Sequence, residues 1–147
     1  MLEKVRTSPD SQARSWISDF GRLLARRDIA ALSRIFQTDS HWRNLCGLSW
    51  QMETVSGSQK LAGELCRRAY EVGAGGFEVD PELLPPRTSV VAGQQVVEAV
   101  FRFDTVNGPG TGVVRLVSLP GDDAVPKAWT ISTLLDMEKI SRAKLQG

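Results

Sequence analysis

The hydrophobic pattern of this chain changes its period at Phe77. Before Phe77, apolar side chains recur three and four positions apart, which is the spacing of one helix face. After Phe77, apolar and polar side chains alternate in runs separated by proline, glycine, asparagine and aspartate, which is typical of strands joined by turns. Helices followed by sequential strands predict an α+β domain in which a helical layer packs on a largely antiparallel sheet.

Three helices are predicted in the first half of the chain. Ser8-Pro9 provides an N-cap and a first helical residue for helix one. The apolar face of that helix consists of Ala13, Trp16, Ile17, Phe20, Leu23 and Leu24. Asp28 can cap a short second helix after a tight joint at Arg27. Gly57-Ser58 begins a third helix, which ends at the glycine-rich residues 73–76.

The strands are predicted from period-two runs and the turn residues between them. They cover 40–45 (a short strand or an extended turn), 49–55, 77–83, 88–92, 95–104, 112–119 and 128–135. A sheet of this length twists strongly and curls around the helices. The predicted fold is therefore a cone, a curved antiparallel or mixed sheet wrapped around three helices. We expect a ligand pocket between the two layers at the open end.

Length and charge limit the possible functions. The 147 residues have the usual size of one domain, so we predict a single domain over 1–147 with frayed ends at 1–8 and 138–147. A net charge of +1 argues against nucleic-acid binding, which usually needs a basic excess. The sequence has no run of about 18 apolar residues and no apolar stretch near its start, so we expect a cytoplasmic protein without membrane contact.

Metal and cofactor motifs are missing from the sequence. The two cysteines, Cys46 and Cys66, do not form a C-x-x-C pair, and one histidine cannot complete a zinc-finger set. The segment Gly57-Ser58-Gln59-Lys60 lacks the upstream glycine of a phosphate loop, and residues 73–76 do not match a dinucleotide fingerprint. We therefore predict no metal and no cofactor.

Arg102-Phe103-Asp104 is the first candidate for chemistry. Period two places Arg102 and Asp104 on one face of a strand, and Phe101 and Phe103 on the other. A charged pair turned into a pocket would act as a base or would position water, with Asp104 as the base and Arg102 orienting it. On the opposite face, the pair would be a solvated or interfacial salt bridge. The sequence leaves both orientations open.

His41 and nearby residues form the second candidate group. His41 can act as a second acid or base because imidazole titrates near neutral pH, although a lone histidine near a loop is more often a surface residue. Asn44 can hold a substrate carbonyl or hydroxyl through hydrogen bonds. Trp42, Trp50 and Trp129 are predicted to line the pocket, and simple core packing is the alternative for each of them.

The order of helices and strands resembles the nuclear transport factor 2-like superfamily, which includes ketosteroid isomerases, limonene epoxide hydrolase and SnoaL-like polyketide cyclases. A narrower resemblance is to the small domain that precedes some flavin-dependent monooxygenases. The segments that carry it are WISDF (16–20), RDIAAL (27–32), HWRNL (41–45), LSW (48–50), Thr54, Gly57, FRFDT (101–105), GTG (110–112), RLV (115–117) and KAWT (127–130). The resemblance implies the cone fold and a homodimer formed through the sheet.

The resemblance also implies roles for particular residues. Limonene epoxide hydrolase activates water with a strand Arg-x-Asp pair, which Arg102 and Asp104 match. The second acid of that family falls in the Trp129-Thr130-Ile131 segment, where this chain has no acid. The proton-moving aspartate of ketosteroid isomerases falls at about Asn44, which cannot accept a proton.

Two functions remain open from the sequence. The first is a cofactor-free hydrolase, isomerase or cyclase that acts on an apolar metabolite such as an epoxide, polyketide or terpenoid. The second is a non-catalytic dimerisation or ligand-binding module. The Arg-x-Asp spacing favours the first. The second predicts that Arg102 and Asp104 point away from the pocket.

Overall fold

The computed structural model describes residues 8–49, 52–119 and 125–136. Within these ranges the chain forms three helices and seven strands, and two of the strands lie between the second and third helices. In chain order they are α1 (Pro9–Arg26), α2 (Ile29–Ser33), β1 (Phe36–Leu45), β2 (Met52–Ser56), α3 (Ser58–Glu71), β3 (Gly75–Val79), β4 (Arg87–Val91), β5 (Gln94–Thr105), β6 (Gly108–Val117) and β7 (Lys127–Leu135). The predicted α+β class is confirmed. The predicted frayed ends lie outside the described residues, except for Ser8.

The helix caps are those that the sequence predicts. The Ser8 hydroxyl accepts a hydrogen bond from the Ser11 amide (3.1 Å), and the Asp28 carboxylate accepts one from the Ala31 amide. Arg27, with a left-handed φ of 56°, forms the tight joint between α1 and α2. The predicted end of α3 is wrong in part. The helix ends at Glu71, and the last two glycines of the 73–76 run already belong to β3.

The strands form one mixed sheet in the order β2-β1-β7-β6-β5-β3, and β4 also pairs with β5. The neighbouring strands are antiparallel except β1 and β7, which are parallel. The predicted turn at 107–110 is shorter than expected, because β6 begins at Gly108. The Thr105 hydroxyl donates to the Gly108 carbonyl and accepts from the Asn107 amide, so a two-residue turn is enough.

Aromatic rings fill the space between α1 and the sheet. Phe101 and Phe103 point inward, and their rings lie over Gly112 and Gly110, their partners on β6. Phe20 of α1 meets Phe77 and Phe101 edge to face, at centroid distances of 5.1 and 6.4 Å, and Phe77 stacks on Phe103 at 5.2 Å. The expected apolar pocket between the layers is therefore occupied by the protein's own side chains in this part of the molecule.

Candidate functional site

Arg102 and Asp104 lie on the outer face of β5, away from the helices. Arg102 is paired with Glu78 on β3 (2.6 Å) and lies 3.9 Å from the Asp80 carboxylate. Asp104 is exposed at the end of the strand. Of the two orientations that the sequence leaves open, the structure has the outward one, in which Arg102 forms a solvated ion pair. Period two gives the inner positions to the neighbouring phenylalanines, and those large rings can pack only over the glycines of β6.

Trp42 and Asn44 lie inside the domain and are fully buried. The Trp42 indole donates to the Thr133 hydroxyl (3.0 Å), which in turn donates to the Asn44 side-chain oxygen (3.1 Å). The same oxygen accepts from the backbone amides of Gly47 (2.9 Å) and Leu48 (3.0 Å). The expected substrate-binding role of Asn44 has no support in this geometry, because its polar atoms hold the turn after β1.

The remaining tryptophans do not complete a common site. Trp129 is half-buried and lines a separate surface pocket of about 440 Å³ that also includes Gln37 and Asp39. Trp50 lies outside the described residues. Arg102 lines the rim of a cleft of about 800 Å³ between α1 and β3, which does not include Asp104 or Trp129. The predicted pocket wall is therefore divided among different surfaces and the core.

His41 points outward from β1. Its Nδ1 lies 2.8 Å from the Ser56 hydroxyl, and its Nε2 lies 3.3 Å from the carboxylate of Asp39. It lines a shallow cavity of about 330 Å³ on the outer face of the sheet, together with Arg43 and Arg115. Of the residues predicted to be catalytic, none shares a cavity with another, so the structure does not assemble them into one acid–base site.

A buried ion-pair group lies beside that cavity and was missed in the sequence. Glu98 of β5 accepts hydrogen bonds from Arg87 of β4 (3.0 Å) and from Arg115 of β6 (2.8 Å). Burial alone would raise the pKa of Glu98, but the two guanidinium groups outweigh it and lower the pKa below its ordinary value. The register puts the three residues side by side. Period two within the predicted strands could have pointed to Glu98 and Arg115, whereas Arg87 lies one residue before the predicted strand 88–92.

The described residues include no group of three His, Cys, Asp or Glu side chains that could hold a metal ion. Both cysteines are described, and neither forms a disulfide. No helix in the described ranges has the length and apolar character needed to cross a bilayer.

Comparisons with known proteins identify the fold. No protein-family model and no curated protein matches the sequence. Among solved structures, the chain is similar to an NTF2-like protein with a cystatin-like fold from Novosphingobium aromaticivorans (TM-score 0.58, 19% identity, covering 92% of this chain and 88% of that chain). It is also similar to an NTF2-like superfamily protein from Salmonella enterica serovar Typhimurium (TM-score 0.59, 13% identity, 86% and 89%). A third similar structure is a protein of unknown function with a cystatin-like fold from Methylobium petroleophilum (TM-score 0.57, 10% identity, 89% and 80%). The chain therefore has the fold of the nuclear transport factor 2-like superfamily.

Proposed function

We propose that this chain is a non-catalytic NTF2-like domain that assembles with a second copy of itself through the outer face of its sheet. The observation that carries the proposal is the filled interior. The rings of Phe20, Phe77, Phe101 and Phe103 fill the space between α1 and β5, so an apolar substrate has no room there. A filled interior leaves the exposed surfaces as the places where the domain can bind a partner.

The outer face carries a row of apolar side chains that we name the apolar row. Met52, Leu45 and Leu134 are register partners on β2, β1 and β7, and strand alternation puts all three on the outer face. Met52 is 71% exposed and Leu134 is 41% exposed. Covering adjacent exposed apolar side chains on a sheet with another surface removes them from water and lowers the free energy.

The charges around the apolar row favour a second copy as the partner. Arginines and acidic residues are mixed on this face: Arg43, Arg87, Arg102 and Arg115 lie among Asp39, Glu78, Asp80, Glu98 and Asp104. A face of mixed charge with a small net excess can meet a copy of itself about a two-fold axis with little net repulsion. The resemblance to the accessory domain of flavin-dependent monooxygenases also fits a non-catalytic role.

The enzyme hypothesis requires two titratable groups that converge on a substrate. Asp104, Arg102 and His41 point to solvent at separate places on the outer face, which removes the main argument for a hydrolase, isomerase or cyclase. Saturable one-to-one binding of the neutral apolar dye Nile red, unchanged in Leu134→Glu, would contradict the filled interior and restore that hypothesis.

Sedimentation velocity tests the proposed dimer. We expect the wild-type domain to sediment as a dimer at tens of micromolar, and Leu134→Glu to sediment as a monomer because it places a charge in the apolar row. Val90→Glu is the matched control. Val90 is also an exposed strand residue, but it lies on the opposite face of β4 and should leave the dimer intact. A monomeric wild type, or equal sedimentation of the two variants, would refute the proposal.

A further inference from the structure

We propose that the outer face of the sheet binds a small phosphate-bearing anion in the cavity beside His41. We name this cavity of about 330 Å³ the cationic pocket. Its polar lining consists of His41, Arg43, Thr54, Arg115, Thr130 and Ser132. No carboxylate lines it among the residues that the structure describes. Two arginines and one histidine therefore line a concave surface whose lining contains no acid.

Strand register brings these groups together. His41, Thr130 and Arg115 are partners in one row across β1, β7 and β6. Two strand spacings place the Cα atoms of His41 and Arg115 about 10 Å apart, with the Thr130 hydroxyl between them. Arg43 lies in the next row, beside Ser132. This spacing leaves room for one tetrahedral oxyanion between side chains that reach inward from both sides.

The guanidinium groups have free hydrogen-bonding capacity. The side chain of Arg43, a residue paired through its backbone with β2 and β7, makes no ion pair or hydrogen bond with any residue in the described ranges. Arg115 uses its Nε to bond Glu98 (2.8 Å), which leaves its two Nη atoms without a partner among the described residues. Guanidinium groups bind phosphate oxygens through paired N–H donors, and the hydroxyls of Thr130 and Ser132 supply further donors.

The nearby acids do not cancel this positive charge. Glu98 is already shared between Arg87 and Arg115, and Asp39 beside His41 is 90% exposed and therefore strongly screened by water. Three arginines (Arg43, Arg87 and Arg115) face two carboxylates (Asp39 and Glu98), so one positive charge remains in excess. A cavity of this volume is at the lower end of ligand pockets, which suits a small phosphate ester.

The cationic pocket belongs entirely to one chain, so it does not depend on the proposed dimer. Binding can be measured on the monomeric variant Leu134→Glu, and failure of one proposal is then distinguishable from failure of the other.

Titration with inorganic phosphate, followed by amide chemical shifts in NMR spectra at constant ionic strength set with NaCl, tests the proposal. We expect saturable binding with shifts centred on β1, β6 and β7. Arg43→Gln should weaken binding at least tenfold and should keep the fold, because Arg43 has no partner to lose. Arg102→Gln is the matched control, since it removes an arginine of the same face outside the pocket, and it should change the affinity less than twofold.

Titrations with other anions identify the chemistry of the ligand. Phenyl phosphate should bind at least as tightly as inorganic phosphate if the pocket accepts an organic group, whereas acetate should bind more weakly. The proposal is overturned by non-saturable shifts, by equal losses in Arg43→Gln and Arg102→Gln, or by shifts of the same size when NaCl alone is titrated in place of phosphate.

Discussion

The strongest stability prediction concerns Asn44. Its side-chain oxygen accepts hydrogen bonds from the backbone amides of Gly47 and Leu48 and from the Thr133 hydroxyl, and the side chain has no contact with solvent. Asn44→Ala removes this acceptor and leaves two buried backbone amides unpaired. Each unpaired buried donor costs about 1–3 kcal/mol. The Thr133 hydroxyl can turn to another acceptor, so we expect a loss of about 3–5 kcal/mol in the free energy of unfolding.

Urea denaturation followed by circular dichroism measures this loss. A decrease of this size is a large part of the total stability of a domain, about 5–15 kcal/mol, so thermal melting should shift down by roughly 10 °C. Asn107→Ala is the matched control because it truncates an exposed asparagine in the β5–β6 turn, and it should change stability by less than about 0.5 kcal/mol. A loss below about 1 kcal/mol for Asn44→Ala would show that the turn does not depend on this amide.

Two further predictions concern the sheet. Gly112→Ala should destabilise the domain by about 2–3 kcal/mol because its Cβ would overlap the ring packed on it, whereas Gly63→Ala should stabilise it by about 0.5–1 kcal/mol because the added methyl in the middle of α3 meets nothing. Equal effects on urea midpoints would contradict the packing of the rings on β6. Glu98→Gln should cost about 1 kcal/mol near pH 7, since the partners Arg87 and Arg115 are partly exposed. The pKa of Glu98 is lowered in the folded state, so its stabilisation is present above its ordinary value and is lost as the pH falls through the folded value. The wild type should therefore lose more stability than the variant between pH 6 and pH 3, and parallel pH profiles would count against the ion pairs.

Much of the fold could be predicted from local sequence signals. The caps at Ser8 and Asp28 and the hairpin at Gly93 depend on residues close to one another in the chain, so the sequence contains all the information they need. The parallel pairing of β1 with β7 could not be read in this way, because the partners are 89 residues apart at Asn44 and Thr133. Such a pairing is decided by the packing of the whole domain.

The site predictions failed for a related reason. Alternation along β5 correctly separates Arg102 and Asp104 from the two phenylalanines, but it does not say which set faces the helices. The glycines of β6 decide the question, since only they leave room for the rings. Asn44 was predicted to hold a substrate because the position resembles a catalytic one. Its actual partners are backbone amides in the next turn. Nearly every residue type has a backbone amide, so no residue in the sequence marks these partners.

The position of β7 in the sheet has a consequence for synthesis of the chain. β7 is the last strand in chain order among the described residues, yet it lies in the interior of the sheet between β1 and β6. Until the ribosome has released Lys127–Leu135, both β1 and β6 present an open edge with unpaired backbone groups. A nascent or truncated chain that ends before β7 should therefore be prone to aggregate through these edges and should depend on chaperones. The last strand closes the sheet and removes both edges in one step.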